Sequence, residues 1–182
     1  AHGFAVLIPD LFWRQSEPLT ELPDQSEAAT QQAFELYETF DTEKALDDIA
    51  ASLRWLRENE NTSGKTAVLG YCLGGLLSFM SGCQLDIDAA VAYYGVGIEK
   101  NLQNKNMIRK PIMLHFAEND SFVPAKTIKE LQETFANNNL VSLHNYSGCD
   151  HGFARTGGAN YDRGAAEISD TRTLALLKKS LL

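Results

Sequence analysis

The stretch Gly70-Tyr71-Cys72-Leu73-Gly74-Gly75 decides how the rest of the sequence is interpreted. It follows the short apolar run Thr66–Leu69 and opens a helical pattern that runs from Leu73 to about Gly82. G-x-C-x-G between a strand and a helix is the pattern of a nucleophile elbow, with cysteine where serine is usual. The pattern predicts that Cys72 is a nucleophile. A buried core thiol beside an ordinary tight turn explains these six residues equally well.

The elbow pattern has a physical reason. A sharp turn from strand to helix forces its central residue into strained backbone angles and lifts the side chain above the sheet. Glycines two positions before and after Cys72 leave room for that turn. The N-terminus of the following helix then lies beneath the thiol, where its dipole and free N–H groups favour a thiolate and stabilise a developing oxyanion.

Apolar runs alternate with helical patterns along most of the chain. The expected strands are Phe4–Ile8, Thr66–Leu69, Ala89–Tyr93, Ile112–Phe116 and Val141–Tyr146. Five helices are expected. The first is capped by Asp24 or Ser26 and runs to about Phe40, and the second is capped by Asp41 and has Leu46, Ile49, Ala50 and Leu53 on one face. The others are Leu73 to about Gly82, Pro124 to about Phe135, and Arg163–Leu182 with Ile168, Leu174, Leu177 and Leu181 on one side. This alternation predicts a single α/β domain over residues 1–182, with a mostly parallel sheet flanked by helices.

Composition limits the function classes. The net charge of -8 disfavours nucleic acid and anionic membrane as partners. No apolar run is long enough to span a bilayer, and the opening residues Ala1-His2-Gly3-Phe4 do not resemble a signal peptide. Three cysteines without paired spacing argue against a disulfide framework and a structural zinc site, and for a reducing compartment. We therefore expect a cytoplasmic protein that binds no metal.

Two polar residues follow later strands, at the sheet edge where parallel α/β proteins form their sites. Asp120 follows the strand Ile112–Phe116, and His151 follows the strand Val141–Tyr146. Alone, Asp120 is typical of a turn or helix cap, and a loop histidine has no particular meaning. Nucleophile, acid and base nevertheless come in the chain order of an α/β-hydrolase, each just past a strand. We therefore predict a Cys72–His151–Asp120 triad.

The remaining candidates for chemistry have simpler interpretations. Asp150 is the rival acid, but a sequence neighbour of His151 cannot easily reach behind its ring. His115 and His144 lie inside expected strands and should be packed or hydrogen-bonded. The other two cysteines should be plain thiols, with Cys149 the candidate for exposure because it lies in a loop.

The sequence resembles the dienelactone hydrolase family over nearly its whole length. The similar stretches are Gly3-Phe4, Pro9-Asp10-Leu11, Arg14-Gln15, Ala33 to Asp41, Gly70 to Gly75, Tyr93 to Gly97, Asp120 to Pro124 and His151 to Thr156. The resemblance implies that Cys72 is the nucleophile with Asp120 and His151 as its partners, that the Leu73 N–H is an oxyanion donor, and that Arg155 holds a substrate carboxylate. Tyr94 and Tyr37, within two of these stretches, are further candidates for substrate contact. The family opens the lactone ring of dienelactone, relatives hydrolyse other esters, and the chemistry needs neither metal nor organic cofactor.

The resemblance departs at two points. In the family, a segment of strands upstream of the position of Ala1 supplies a glutamate that helps to activate the thiol and a second oxyanion N–H; neither is in this sequence. A further carboxylate-binding arginine of the family aligns with Thr30, and Arg14 is not an obvious replacement.

These departures keep two other hypotheses open. A hydrolase-derived binding or scaffold subunit would lack turnover, and a thiol redox sensor would use Cys72 without hydrolysing esters. If the 182 residues are complete, a sheet that lacks the upstream strands exposes an apolar edge near Phe4–Ile8. A homo-oligomer is then expected, because a second copy would cover that edge.

Overall fold

A computed structural model describes residues 2–17 and 26–182 of the chain. Four strands form a parallel sheet in the order β1-β2-β3-β4, which is also their order along the chain. They are β1 (Ala67–Tyr71), β2 (Ala89–Tyr93), β3 (Ile112–Ala117) and β4 (Val141–Tyr146). The α/β class and the parallel sheet are confirmed, and β2 and β4 have the expected bounds. About five strands were expected, and the described ranges contain four.

Helices connect and flank the strands. They are α1 (Glu27–Glu38), α2 (Thr42–Glu58), α3 (Leu73–Gln84), a 3₁₀ helix (Ile98–Met107), α4 (Ala125–Phe135) and α5 (Arg163–Leu181). Ser26 caps α1 by accepting a hydrogen bond from Ala29 N at 3.2 Å, and Asp41 caps α2 through Lys44 N at 3.1 Å. Asp24, the other candidate cap, lies outside the described residues. The 3₁₀ helix was not expected, because its polar sequence has no helical apolar period.

The core lies on both faces of the sheet. On one face, α3 packs against β1 and β2, and the apolar stripe of α2 packs against α3. The same cluster includes side chains of β3, which is buried along its whole length. The predicted stripe is confirmed, since Leu46, Ile49 and Leu53 are buried and Ala50 is half-buried. On the other face, a smaller cluster joins Tyr93 and Tyr146 to the N-terminal part of α5. With helices over both faces of a parallel sheet, a site forms at the carboxyl ends of its strands.

The expected strand Phe4–Ile8 is wrong. The segment has no strand structure, and Val6 and Ile8 are 78% and 87% exposed. A strand needs a neighbour to pair its N–H and C=O groups, and within the described ranges no strand pairs with this segment. Within residues 2–17, the apolar side chains that pack against the core are Leu11 and Phe12. As a result, β1 is an edge strand of the sheet.

The apolar side of α5 is not its most buried side. Its buried residues are small or polar: Ala165, Ala166, Ser169 and Thr173. Ile168 is half exposed, and the leucines of the expected side are only half-buried. The reason is that α5 packs against the aromatic and histidine side chains of β2, β3 and β4, whose bulk leaves room for small residues and whose polar groups need hydroxyl partners, such as Thr173 for Tyr93.

Candidate active site

The turn from β1 into α3 has the geometry of a nucleophile elbow. Cys72 adopts φ 55° and ψ −115°, a strained conformation for a residue with a side chain. Its N–H donates to Tyr93 O at 3.0 Å, which anchors the turn to β2. A Cβ on Gly70 would lie 1.9 Å from Gly74 O, and one on Gly75 would lie 2.6 Å from Tyr93 O. The glycines that the turn requires are therefore Gly70 and Gly75, whereas a Cβ on Gly74 would meet nothing within 4 Å.

The N-terminus of α3 lies directly after the thiol. The carbonyl oxygen of Cys72 accepts from Gly75 N at 3.0 Å and from Leu76 N at 3.2 Å. Leu73 is the first residue of the helix, so its N–H has no acceptor within the helix. An N–H in this position can donate to an anion that forms at the neighbouring thiol.

His151 and Asp120 form a hydrogen-bonded pair. The two residues come from the loops that follow β4 and β3, and His151 Nδ1 lies 2.8 Å from Asp120 Oδ2. Asp120 is buried, and its other oxygen accepts from the backbone N–H groups of Phe122 at 2.8 Å and Val123 at 3.1 Å. The carboxylate is thus fixed by its own loop, with one oxygen left to orient the imidazole. Asp150, the rival acid, is exposed.

The surroundings of His151 favour its charged form. The rings of Tyr94 and Phe122 each lie 4.8 Å from the imidazole, between centroids. Burial by itself would lower the pKa of His151, but hydrogen bonds to Asp120 and Cys72, and the charges of both, outweigh it and raise the pKa to about 9. The imidazole is therefore a stronger base than an ordinary histidine.

A cavity of about 640 Å³ opens over Cys72 and His151. Its lining residues are Tyr71, Cys72, Tyr94, His151, Gly152, Ala154, Arg155, Gly158, Ala159 and Asn160. Arg155 is exposed at the cavity wall and forms no salt bridge with any residue that the structure describes. Burial, followed by the charges of Tyr71 and Cys72, raises the pKa of the Tyr94 phenol. The predicted substrate contacts Tyr94 and Arg155 therefore share one cavity with Cys72 and His151.

Tyr37 is placed differently from the other predicted substrate contacts. It lies on α1 and does not line the cavity. Burial and then the charge of Cys72 raise the pKa of its phenol. The structure adds Tyr71, which sequence reasoning did not single out although it lies inside the elbow motif. Its ring packs 4.7 Å from that of Tyr93.

The other thiols and histidines lie away from the cavity. Cys83 is buried, and burial raises the pKa of its thiol to about 11. The expected exposure of Cys149 is wrong, because the residue is buried in the core cluster beneath its loop. His115 is packed as predicted, with Nδ1 2.9 Å from Tyr146 Oη and Nε2 3.1 Å from Thr173 Oγ1.

Residues 2–17 and 26–182 contain neither a metal-binding cluster nor a membrane-spanning helix. No three His, Cys, Asp or Glu side chains there are grouped so that they could hold a metal ion. No helix in the same ranges is long and apolar enough to cross a membrane.

A parallel sheet with this elbow, and with an Asp–His pair past its later strands, is the architecture of an α/β-hydrolase. The model of the dienelactone hydrolase family matches residues 1–181, and the chain belongs to that family. It is accordingly a hydrolase that acts on esters or lactones.

Similar proteins agree with this placement. Carboxymethylenebutenolidases from Pseudomonas putida and Cupriavidus pinatubonensis are 38% and 37% identical over 175 residues, which are 96% of this chain and 74% of each relative. A solved structure from Klebsiella pneumoniae subsp. pneumoniae, provisionally assigned as a dienelactone hydrolase, has TM-score 0.80 at 20% identity over 94% of this chain and 73% of its own. The esterase Pf2001 of Pyrococcus furiosus has TM-score 0.62 at 19% identity over 77% and 63%.

Proposed function

We propose that the chain hydrolyses its ester or lactone with Cys72 as nucleophile, His151 as proton carrier and Asp120 as the group that orients the histidine. One observation carries the proposal: His151, whose Nδ1 lies 2.8 Å from a buried aspartate oxygen, borders the same cavity as a cysteine held at positive φ. A cysteine in an ordinary tight turn needs neither the strain nor the paired base. Strain at such a position is maintained where presentation of the side chain matters.

The reaction proceeds in two acyl transfers. The Cys72 thiolate attacks the carbonyl carbon, and the resulting oxyanion accepts a hydrogen bond from the Leu73 N–H. The His151 imidazolium gives its proton to the leaving alkoxide, which remains tethered when the substrate is a lactone. His151 then takes a proton from water, which attacks the thioester, releases the carboxylic acid and restores the thiolate. Throughout, the Asp120 carboxylate accepts from Nδ1–H and holds the ring in one tautomer.

The substrate in this proposal carries a carboxylate near the scissile bond. Arg155 offers a guanidinium at the cavity wall without a salt-bridge partner among the described residues, and a guanidinium can hold a carboxylate through two parallel hydrogen bonds. The relatives' name, carboxymethylenebutenolidase, describes a lactone with a carboxylate-bearing side group. Tyr94 supplies an aromatic wall against which such a conjugated lactone can pack. We place the reaction in a reducing compartment such as the cytoplasm, since all three cysteines are free.

Hydrolysis of p-nitrophenyl acetate by the Cys72→Ala variant tests the nucleophile. Turnover should fall to the background rate, and turnover equal to that of the unmodified protein would refute the proposal.

Arg155→Lys tests the substrate class, because an ammonium cannot form two parallel hydrogen bonds with a carboxylate. KM should rise for a carboxylate-bearing ester and stay unchanged for a neutral one. Arg163→Lys is the matched control, since Arg163 pairs with Glu167 on the surface of α5.

A further inference from the structure

The loops that carry the acid and the base leave neighbouring strands side by side. We call residues 118–123, after β3, the acid loop, and residues 147–153, after β4, the base loop. Two backbone hydrogen bonds continue the pairing of the strands into the loops: Glu118 N donates to Tyr146 O at 3.0 Å, and Asn119 N donates to Cys149 O at 2.9 Å. Beyond them, the Asp120–His151 contact is the next link between the loops.

One exposed side chain, Glu118, adds a further connection at the start of both loops. Glu118 Oε2 accepts from Ser147 Oγ at 2.6 Å and from Gly148 N at 2.8 Å. Gly148 has φ 74° and lies in a turn closed by a 3.4 Å hydrogen bond from Cys149 N to Tyr146 O. The two hydrogen bonds hold the pKa of Glu118 below its ordinary value, so the carboxylate is charged at neutral pH. Hydrogen bonds to an ionised acceptor are about twice as strong as neutral ones.

The contact of Glu118 with Ser147 and Gly148 lies close in sequence to both members of the Asp120–His151 pair. Glu118 lies two residues before Asp120, and Ser147 lies four residues before His151. Because Asp120 is already fixed by Phe122 and Val123, the distance between the pair depends on how the base loop is held. Asn160 Nδ2 donates to His151 O at 2.9 Å and holds the loop near its end, so its start is the part that the acid loop controls. Glu118 is the side chain that fixes that start.

We propose that Glu118 is a positioning residue: its carboxylate clamps the turn of the base loop to the acid loop and so holds His151 against Asp120. This inference rests on the proposed catalytic roles of His151 and Asp120. Glu118 is exposed, so truncating its side chain leaves no cavity in the core and should cost little stability. Misplacement of a catalytic group by about 1 Å can cost about 100-fold in rate. The clamp should therefore affect turnover far more than folding.

Glu118→Ala and Glu118→Gln test the clamp, with Glu130→Ala on the exposed side of α4 as the matched control. Glu118→Ala should lower kcat by about 10- to 100-fold with KM changed less than about twofold. Glu118→Gln should fall in between, because an amide oxygen still accepts but carries no charge. The control should keep full activity. In Glu118→Ala, NMR titration should show the pKa of His151 moving from about 9 towards its ordinary 6.5, a shift that a merely structural role would not produce.

A double-variant cycle with Ser147→Ala isolates the contact. If the clamp is real, the two substitutions together should cost less than the product of their separate fold-losses in kcat, since both break the same contact. An unchanged kcat in Glu118→Ala, an unchanged His151 pKa, or independent losses would each overturn the proposal. Asp120→Asn is measured alongside: if it too leaves kcat unchanged, the proposed triad fails, and if it alone abolishes turnover, only the clamp fails.

Discussion

His151 and His115 illustrate how neighbours set the chemistry of one residue type. Burial disfavours the charged form of both rings. The ring nitrogens of His115 are hydrogen-bonded to the hydroxyl groups of Tyr146 and Thr173, and burial lowers its pKa to about 3. His151 contacts the Asp120 carboxylate, and its pKa rises to about 9. The carboxylate partner, rather than the depth of the ring, separates the histidine that can carry protons from the one that packs the core.

Asp120→Asn should lower kcat by roughly 10⁴-fold, the loss known for the same change in the serine triad, because an amide holds the wrong tautomer of the imidazole. Asp150→Asn should change kcat less than about twofold, since Asp150 is exposed and makes no side-chain hydrogen bond within the described chain. Steady-state kinetics of both variants measure the difference. The reverse ranking would assign the acid to Asp150.

Cys72 should be the most reactive of the three thiols. It lines the cavity, whereas burial raises the pKa of Cys83 and Cys149 and keeps both from solvent. Labelling with one equivalent of iodoacetamide at pH 6, followed by peptide mapping, should place the label on Cys72. A label on either of the other two first would contradict this assignment.

The candidate site could be predicted from sequence to the extent that its residues follow strands. Cys72, Asp120 and His151 each follow a strand, and parallel strands bring such positions to one edge. Glu118 could not be found in this way, because its partners Ser147 and Gly148 are almost 30 residues away and nothing in a glutamate predicts that it will accept from a turn. The burial of Cys149 was missed for a similar reason, since a loop folded back onto the core looks like any other loop.

At the scale of elements, the elbow is held by backbone contacts rather than by side chains. Gly70 lies against the first turn of α3, and Gly75 lies against β2. The strand, the turn and the helix are therefore one rigid unit, and the position of Cys72 depends on two glycines that have no chemistry of their own.

Two glycine substitutions in this unit should have opposite effects. Gly70→Ala should lower the free energy of unfolding by about 3 kcal/mol or more, because its Cβ would overlap Gly74 O. Gly74→Ala should be neutral or raise it by about 0.5–1 kcal/mol, since its Cβ meets nothing and alanine favours a helix. Urea unfolding of the two variants measures both effects. Equal destabilisation would mean that the close approach at Gly70 is not what limits the turn.

Periodicity predicted the elements that bury an apolar face and failed for those that do not. The stripe of α2 and the run of β3 carry their own signal. The segment Phe4–Ile8 carries a strand signal too, but a strand exists only when another strand pairs with it, and apolar character does not supply the partner. For α5, apolar spacing marks a side that is only half-buried, because the opposing surface selects small and hydroxyl residues for the buried positions.

For the whole molecule, the exposed edge of the sheet at β1 is the surface most suited to association with another chain. The edge strand β1 has no second neighbour within the described ranges, and Leu69 and Tyr71 on it are 39% and 46% exposed. Unpaired backbone groups beside apolar side chains are a template for another chain.

A protein of these 182 residues should therefore self-associate, most simply as a two-fold dimer. Light scattering should give a mass above the 20.1 kDa of one chain, and dilution should shift it downwards. Leu69→Lys on the exposed side of β1 should weaken the association, and Ile168→Lys, at a more exposed apolar position on α5, should not. A monomer that is folded at every concentration would contradict the expectation.

The order of the sheet also determines when the site comes into being during synthesis. Each strand pairs with the one made just before it, from Ala67 with Ala89 to Ile112 with Val141, so no strand must be inserted between two that are already paired. A chain that folds from its N-terminus as it leaves the ribosome can extend the sheet one strand at a time. On such a path the elbow with Cys72 would form before His151, the proposed base, has been translated.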